Sequence, residues 1–123
     1  MAKVERSEIA IQTLFRSRAR IICPGVSIIA VPNAAKRTQW AAQRAKREGL
    51  ATGFPDCLCF WQGKGVAAIE FKSAKGRLSL SQVEWLQRLA ELGVPAVVSR
   101  DPDHALEFLR ECGAPFIDRV GRL

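Results

Sequence analysis

The chain has 123 residues, of which 48% are hydrophobic and 25% are charged, a composition that predicts one globular domain spanning residues 1–123 and excludes a disordered chain. No apolar run approaches the roughly 18 residues of a membrane span and the first six residues lack a signal-peptide pattern, so we expect a cytoplasmic protein without a membrane partner. The net charge of +7 comes from residues 1–50, where ten Lys or Arg face three acids, and indicates either a polyanionic partner or a well-solvated basic surface.

Residues 4–20 predict an amphipathic helix, because Val4, Ile11 and Phe15 recur at helical spacing. At 100° per residue Glu8 lies within this apolar stripe, where a buried unpaired carboxylate would be costly. Two interpretations remain open. Glu8 either supplies a metal ligand from the helix, or it complements the helix dipole or lies at the edge of the stripe.

Residues 26–31 predict a first strand, and residues 36–48 predict a second helix that ends at Gly49. The basic side of this helix carries Arg37, Arg44 and Arg47. Trp40 lies among these arginines. The helix either follows the phosphates of a nucleic acid, with Trp40 as an apolar or stacking element, or presents an ordinary solvated face.

Two more strands are predicted at residues 56–61 and 66–72, joined by a hairpin turn of Gln-Gly-Lys-Gly composition. Alternate side chains of a strand share a face, so Glu70 and Lys72 point the same way, and the hairpin brings Asp56 close to Glu70. Two carboxylates beside an ammonium suit a hard cation. Mg²⁺ takes oxygen ligands, and a lysine can stabilise developing negative charge or orient a water.

The cysteines form no CxxC pair, and the chain has one histidine. The four are Cys23, Cys57, Cys59 and Cys112. We expect them to be small buried hydrophobic residues rather than zinc ligands or redox groups.

Residues 79–92 predict a third helix, on which Gln82 points inward from the first turn. Gln82 either reaches a substrate phosphate or a metal-bound water, or closes a capping box with Ser79. A strand at residues 95–99 and a helix at residues 101–111 follow. The order of the elements predicts an α/β sandwich around a mixed sheet.

Three segments of the chain occur in a specific order. They are Gly-Phe-Pro-Asp at residues 53–56, Ile-Glu-Phe-Lys at residues 69–72, and Gly-Arg-Leu-Ser-Leu-Ser-Gln-Val-Glu-Trp at residues 76–85. Together they resemble the PD-(D/E)XK nuclease superfamily, and more specifically its virus-type replication-repair nuclease (VRR-NUC) domain. The resemblance extends over most of the chain and implies a three-layer, restriction-endonuclease-like core, with a mixed sheet flanked by helices.

The resemblance also assigns roles to individual residues. It implies a site for Mg²⁺ or Mn²⁺ formed by Glu8, Asp56, Glu70 and the backbone carbonyl of Phe71. It implies catalytic roles for Asp56, Glu70, Lys72 and Gln82. Asn33 lies where the family often has Asn followed by Gly, but here Ala34 follows.

These features predict a metal-dependent DNA endonuclease. Standalone members of the family resemble homodimeric junction-resolving enzymes, so we expect a homodimer of bacterial or bacteriophage origin that cuts branched DNA, such as a Holliday junction, in DNA repair. The expected DNA contacts are Arg37, Arg44, Arg47, Lys75 and Arg77. The alternatives are a flap or duplex nuclease of the same fold, a non-catalytic nucleic-acid-binding module, or a structural protein with a surface Glu-Lys ion pair.

Overall fold

The computed structural model describes residues 5–32 and 38–117. In chain order the elements are helix α1 (Glu8–Ile22), strand β1 (Ser27–Ala30), helix α2 (Gln39–Arg47), strands β2 (Cys57–Trp61) and β3 (Gly65–Phe71), helix α3 (Leu80–Glu91), strand β4 (Ala96–Ser99) and helix α4 (Pro102–Glu111). Within these two ranges, no helix is both long enough and apolar enough to cross a membrane.

The four strands form one mixed sheet in the order β1-β2-β3-β4. β1 and β2 are antiparallel, as are β2 and β3, whereas β3 and β4 run parallel. The predicted hairpin joins β2 to β3, with Trp61 paired to Gly65 at its turn. β3 lies between two neighbours, and its last five residues are all buried. The predicted mixed sheet is confirmed.

Helices cover both faces of the sheet. Phe71 of β3 packs against Phe15 of α1, with ring centroids 5.3 Å apart. The preceding residue, Glu70, contacts Gln82 of α3. Because successive residues of a strand point to opposite faces, α1 and α3 lie on opposite sides of β3. α4 packs on the α1 side, where Leu109 joins the same hydrophobic core as Phe15. The predicted three-layer α/β architecture is therefore confirmed.

Three of the four cysteines are core residues. Cys23, Cys57 and Cys59 are fully buried, and Cys112 is partly buried against the same core. Burial raises the pKa of Cys23 to about 11. A hydrogen bond with the Cys59 thiol, together with burial, raises the pKa of Cys57 well above its ordinary value. The Cys23 and Cys57 thiols therefore stay protonated at neutral pH and pack as small apolar groups.

Capping side chains set the starts of two helices later than the sequence pattern predicts. The Ser7 hydroxyl accepts a hydrogen bond from the backbone N–H three residues later, so α1 begins at Glu8 rather than at residue 4. The Thr38 hydroxyl caps α2 in the same way, two residues after the predicted start. Both predicted starts were wrong, because a cap fixes a helix end more strongly than periodicity does. Two residues singled out in the sequence, Asn33 and Arg37, lie outside the described residues.

Candidate metal and catalytic site

The β2-β3 hairpin brings Asp56 beside Glu70. Asp56 directly precedes β2, one position beyond the pair formed by Cys57 and Ile69. Its carboxylate oxygen Oδ2 accepts a hydrogen bond of 2.7 Å from the backbone N–H of Phe71. This bond holds the Asp56 side chain against the end of β3 and engages only one of its two oxygens.

The loop before Asp56 is fixed by close packing on α3. Gly53 has a φ of +86°, and a Cβ at this position would lie 2.6 Å from the backbone carbonyl carbon of Ser81. Only glycine fits both the conformation and the space. The next residue, Phe54, contacts Trp85 edge to face, with ring centroids 4.9 Å apart. The Gly-Phe-Pro-Asp motif therefore packs against α3 and thereby positions the carboxylate of Asp56.

Three carboxylates converge at this point of the fold. Glu8, Asp56 and Glu70 each offer an oxygen within 4.8 Å of the others. Glu8 is the first residue of α1, where it also faces the positive end of the helix dipole. Helix α1 thus brings a third acid to the pair supplied by the hairpin.

Glu70 is the most constrained member of the cluster, with 2% of its surface exposed. Its Oε2 atom accepts a hydrogen bond of 3.1 Å from Gln82 Nε2 and lies 3.9 Å from Lys72 Nζ. Its Oε1 atom is buried and has no hydrogen-bond partner among the described residues. Burial, followed by the negative charge of Asp56, raises the pKa of Glu70 to about 8, although Lys72 opposes this rise.

A buried carboxylate that has one unpartnered oxygen and lies beside two further acids fits a divalent cation. Mg²⁺ and Mn²⁺ prefer oxygen ligands, and either ion would offset the negative charge of the clustered carboxylates. The predicted fourth ligand, the backbone carbonyl of Phe71, directly follows Glu70 at the end of β3. The Phe71 side chain is buried and packs in the core, so only its backbone can take part.

Gln82 closes the capping box, one of the two interpretations that its sequence left open, while its contact with a substrate phosphate or a metal-bound water stays a prediction. Its Oε1 atom accepts a hydrogen bond of 2.8 Å from the Ser79 backbone N–H, while the Ser79 hydroxyl accepts one from the Gln82 backbone N–H. This reciprocal pair is a capping box. The other end of the same amide, Nε2, donates to Glu70. One side chain therefore both caps α3 and orients a carboxylate of the site.

Lys72 points to the same side as Glu70 and is 8% exposed. It lies one residue past the end of β3, yet its backbone N–H still donates to the Ser99 carbonyl of β4 at 3.0 Å. Gly76 closes over its stem, since a Cβ there would lie 3.3 Å from Lys72 Cδ. The ammonium is thus held near the carboxylates by both strand and loop.

Arg100 organises the loop that follows Lys72. Its Nη1 atom donates to the backbone carbonyls of Ser73 at 2.6 Å and Gly76 at 2.7 Å. The loop presents Lys75 and Arg77, two of the predicted DNA contacts, as exposed side chains. Sequence reasoning missed Arg100, because an arginine directly after a short strand belongs to no motif, and its role depends on contacts 24 to 27 residues away.

The predicted DNA contacts on α2 lie outside the carboxylate cluster. Arg44 and Arg47 are exposed. The Arg44 guanidinium donates to Glu48 at 2.9 Å and lies 5.8 Å from the centre of the Trp40 ring system. Lys75 lies 3.8 Å from the Glu5 carboxylate, an exposed pair of little energetic weight.

Comparison with known proteins agrees with these motifs. A family model described as the VRR-NUC domain matches residues 2–101. A solved structure titled "VRR_NUC domain protein" aligns with a TM-score of 0.68 and 20% sequence identity over 87% of this chain and 88% of that one, which shows a shared fold. No curated protein matches the chain. Because the family model covers well over half of the sequence, this protein belongs to the VRR-NUC family of nucleases.

Proposed function

We propose that this protein is an endonuclease that hydrolyses the phosphodiester bonds of DNA and depends on Mg²⁺ or Mn²⁺. The observation that carries the proposal is the buried carboxylate of Glu70, which has one unpartnered oxygen among the described residues and lies beside Asp56 and Glu8, with Lys72 alongside. Burial of a carboxylate with an oxygen that has no hydrogen-bond partner costs free energy. A protein that only binds DNA would have no use for such a group.

The metal would be held by Glu8, Asp56, Glu70 and the backbone carbonyl of Phe71. When bound, a divalent cation lowers the pKa of a water and neutralises charge on the phosphate. The Phe71 N–H fixes one oxygen of Asp56 and leaves the other free, and Gln82 does the same for Glu70. Both acids are therefore oriented in advance.

Lys72 acts on the reacting phosphate. Its ammonium lies 3.9 Å from a Glu70 oxygen, so it is placed beside the carboxylates without being a ligand. There it donates to a phosphate oxygen and stabilises the negative charge that grows in the transition state. Gln82 acts through Glu70 and is a positioning residue.

The proposed substrate is branched DNA, such as a Holliday junction, and the proposed assembly is a homodimer that functions in DNA repair in a bacterial or phage-infected cytoplasm. The net charge of +7 supports a DNA substrate. Exposed cations lie on the segments that precede and follow the β2-β3 hairpin of the site. They are Arg44 and Arg47 on α2, and Lys75 and Arg77 after β3. Two active sites in one dimer would suit a junction with two strands to cut.

Plasmid nicking tests the proposal. We expect nicking with Mg²⁺ or Mn²⁺ and none with EDTA, and we expect Asp56→Asn to abolish cleavage while DNA binding persists. Glu84→Gln, at an exposed acid of α3, is the matched control and should cut normally. Nicking by Asp56→Asn at the wild-type rate would contradict the metal site, and binding without cleavage would favour the non-catalytic module.

A panel of labelled DNAs then tests the substrate. Flap, splayed-arm, four-way-junction and duplex DNAs of equal length are compared at equal enzyme concentration. Preferred symmetric cuts in the four-way junction support a junction-resolving enzyme. Preferred cleavage of flaps or of plain duplex would replace that substrate with one of the two alternatives of the same fold.

A further inference from the structure

The segment that carries α2 leaves the sheet and returns to it at the carboxylate site. The backbone N–H of Val31, just past β1, donates to the backbone carbonyl of Asp56 at 2.8 Å. This hydrogen bond joins the two ends of the intervening 24-residue segment, beside a proposed metal ligand. Helix α2 lies within this segment.

Helix α2 presents an unusually open surface. Its exposed residues, including the cap, are Thr38, Gln39, Trp40, Gln43, Arg44, Lys46 and Arg47. Trp40 is 66% exposed, although an indole ring normally gains free energy by burial. This exposed indole indicates that α2 binds something in the functional complex.

We infer that α2 binds unpaired nucleotides of the DNA substrate, with Trp40 stacked on a base and with Lys46 and Arg47 on the phosphates. The inference rests on the proposed function for the choice of DNA as ligand. The Arg44 guanidinium lies over the Trp40 ring and is paired with Glu48, which supports the indole in its exposed position. Base-aromatic stacking tolerates any sequence, because every base has a π face.

Charge and chemistry select this ligand over the other candidates. A second copy of the chain would bring two surfaces of the same positive sign together, whereas DNA phosphates complement Arg44, Lys46 and Arg47. In an intact duplex the base faces are covered by their neighbours. An indole can stack on a base only where the duplex is opened, as at a branch, a gap or a bulge. Helix α2 would thus recognise the unpaired nucleotides of the substrate.

Binding measurements in EDTA test this inference without any need for cleavage. Two labelled DNAs with equal numbers of phosphates are titrated with the full chain, one an intact duplex and the other carrying a central run of unpaired nucleotides. We expect Trp40→Ala to weaken binding of the second DNA about tenfold, within the range of one stacked base, and that of the duplex less than twofold. Trp40→Phe should retain most of the affinity.

Leu92→Ala is the control, because Leu92 is an exposed apolar residue at the end of another helix. It should change neither affinity. Equal losses on both DNAs with Trp40→Ala, or no loss on either, would overturn the inference. A Trp40→Ala variant that dissociates a dimer in sedimentation at unchanged DNA affinity would assign α2 to a subunit interface instead and also overturn it.

The outcome is separable from that of the proposed function. A chain that prefers unpaired DNA through Trp40 but never cuts would overturn the nuclease proposal and leave this inference standing. A chain that nicks plasmid but whose affinity for each of the two DNAs is unchanged by Trp40→Ala would do the reverse.

Discussion

Glu70→Gln is predicted to stabilise the metal-free protein at alkaline pH and to abolish its response to divalent cations. The pKa of Glu70 is raised from 4.5 to about 8 in the folded protein, mainly by burial. Between these two values the folded state binds more protons at this position than the unfolded state does. Its contribution to stability is therefore complete below about pH 4.5 and is lost as the pH rises through 8. Glutamine keeps the shape of the side chain and removes the charge.

The size of the effect follows from the shift. A rise from 4.5 to about 8 is about 3.5 pH units, and at about 1.36 kcal/mol per unit the upper limit is about 5 kcal/mol above pH 8. We expect the variant to exceed wild type by about 2–5 kcal/mol at pH 9 and by about 1 kcal/mol at pH 5. For a chain of this size the difference at pH 9 corresponds to an increase in Tm on the order of 10 °C.

Unfolding in EDTA from pH 5 to pH 9 measures this difference, with Glu84→Gln as a control at an exposed acid. The series is then repeated with Mn²⁺ at 100 times its dissociation constant, which should stabilise wild type by about 2.7 kcal/mol and Glu70→Gln hardly at all. Two results would refute the reasoning. The first is a variant less stable than wild type at pH 9, and the second is equal stabilisation of both proteins by Mn²⁺.

Three other predictions concern Lys72, the basic helix and the capping box. Lys72→Met should lower the single-turnover cleavage rate roughly 10²–10³-fold with metal affinity kept or slightly raised, and a normal rate or a loss of DNA binding alone would contradict its role. Replacing Arg37, Arg44 and Arg47 together with Gln should weaken DNA binding and flatten the plot of log affinity against log salt, whereas an unchanged slope would make that surface an ordinary solvated one. Ser79→Ala should cost about 1 kcal/mol of stability in urea unfolding and leave Mn²⁺ binding nearly unchanged, since it removes the capping hydroxyl but keeps the backbone N–H that holds the Gln82 amide; a marked loss of Mn²⁺ binding would show that the hydroxyl itself supports the site.

The strands and the hairpin could be predicted because their signals are local. The apolar run at residues 66–72 predicts a strand, in which alternate side chains share a face, so Glu70 and Lys72 point the same way. The turn before the strand brings Asp56 nearby, as the structure shows. Such patterns depend on neighbours in the sequence. The mixed sheet and its two helical layers then follow from the order of the elements.

The remaining details depend on contacts between distant parts of the chain. The capping hydroxyls, not the apolar stripes, set the helix starts. The link between Arg100 and the loop after Lys72 has no sequence signal at all. Gln82 was ambiguous for a different reason. Its amide has an acceptor and a donor, and the sequence cannot show that both are used at once.

The hydrogen bond between Val31 and Asp56 makes most of the intervening segment, up to Gly53, replaceable as a unit. Strands β1 and β2 pair directly beside this hydrogen bond, so the sheet does not depend on the length or composition of the segment that joins the two strands. Loop-closure entropy rises slowly with length, about 0.6 kcal/mol for each doubling. A segment taken from another protein of the same fold could be grafted between Val31 and Gly53, and the three carboxylates would stay in place because Gly53 and Phe54, which hold Asp56 against α3, are kept. Evolution, or a designer of chimeric nucleases, could therefore exchange the part proposed to select DNA without rebuilding the part proposed to cut it.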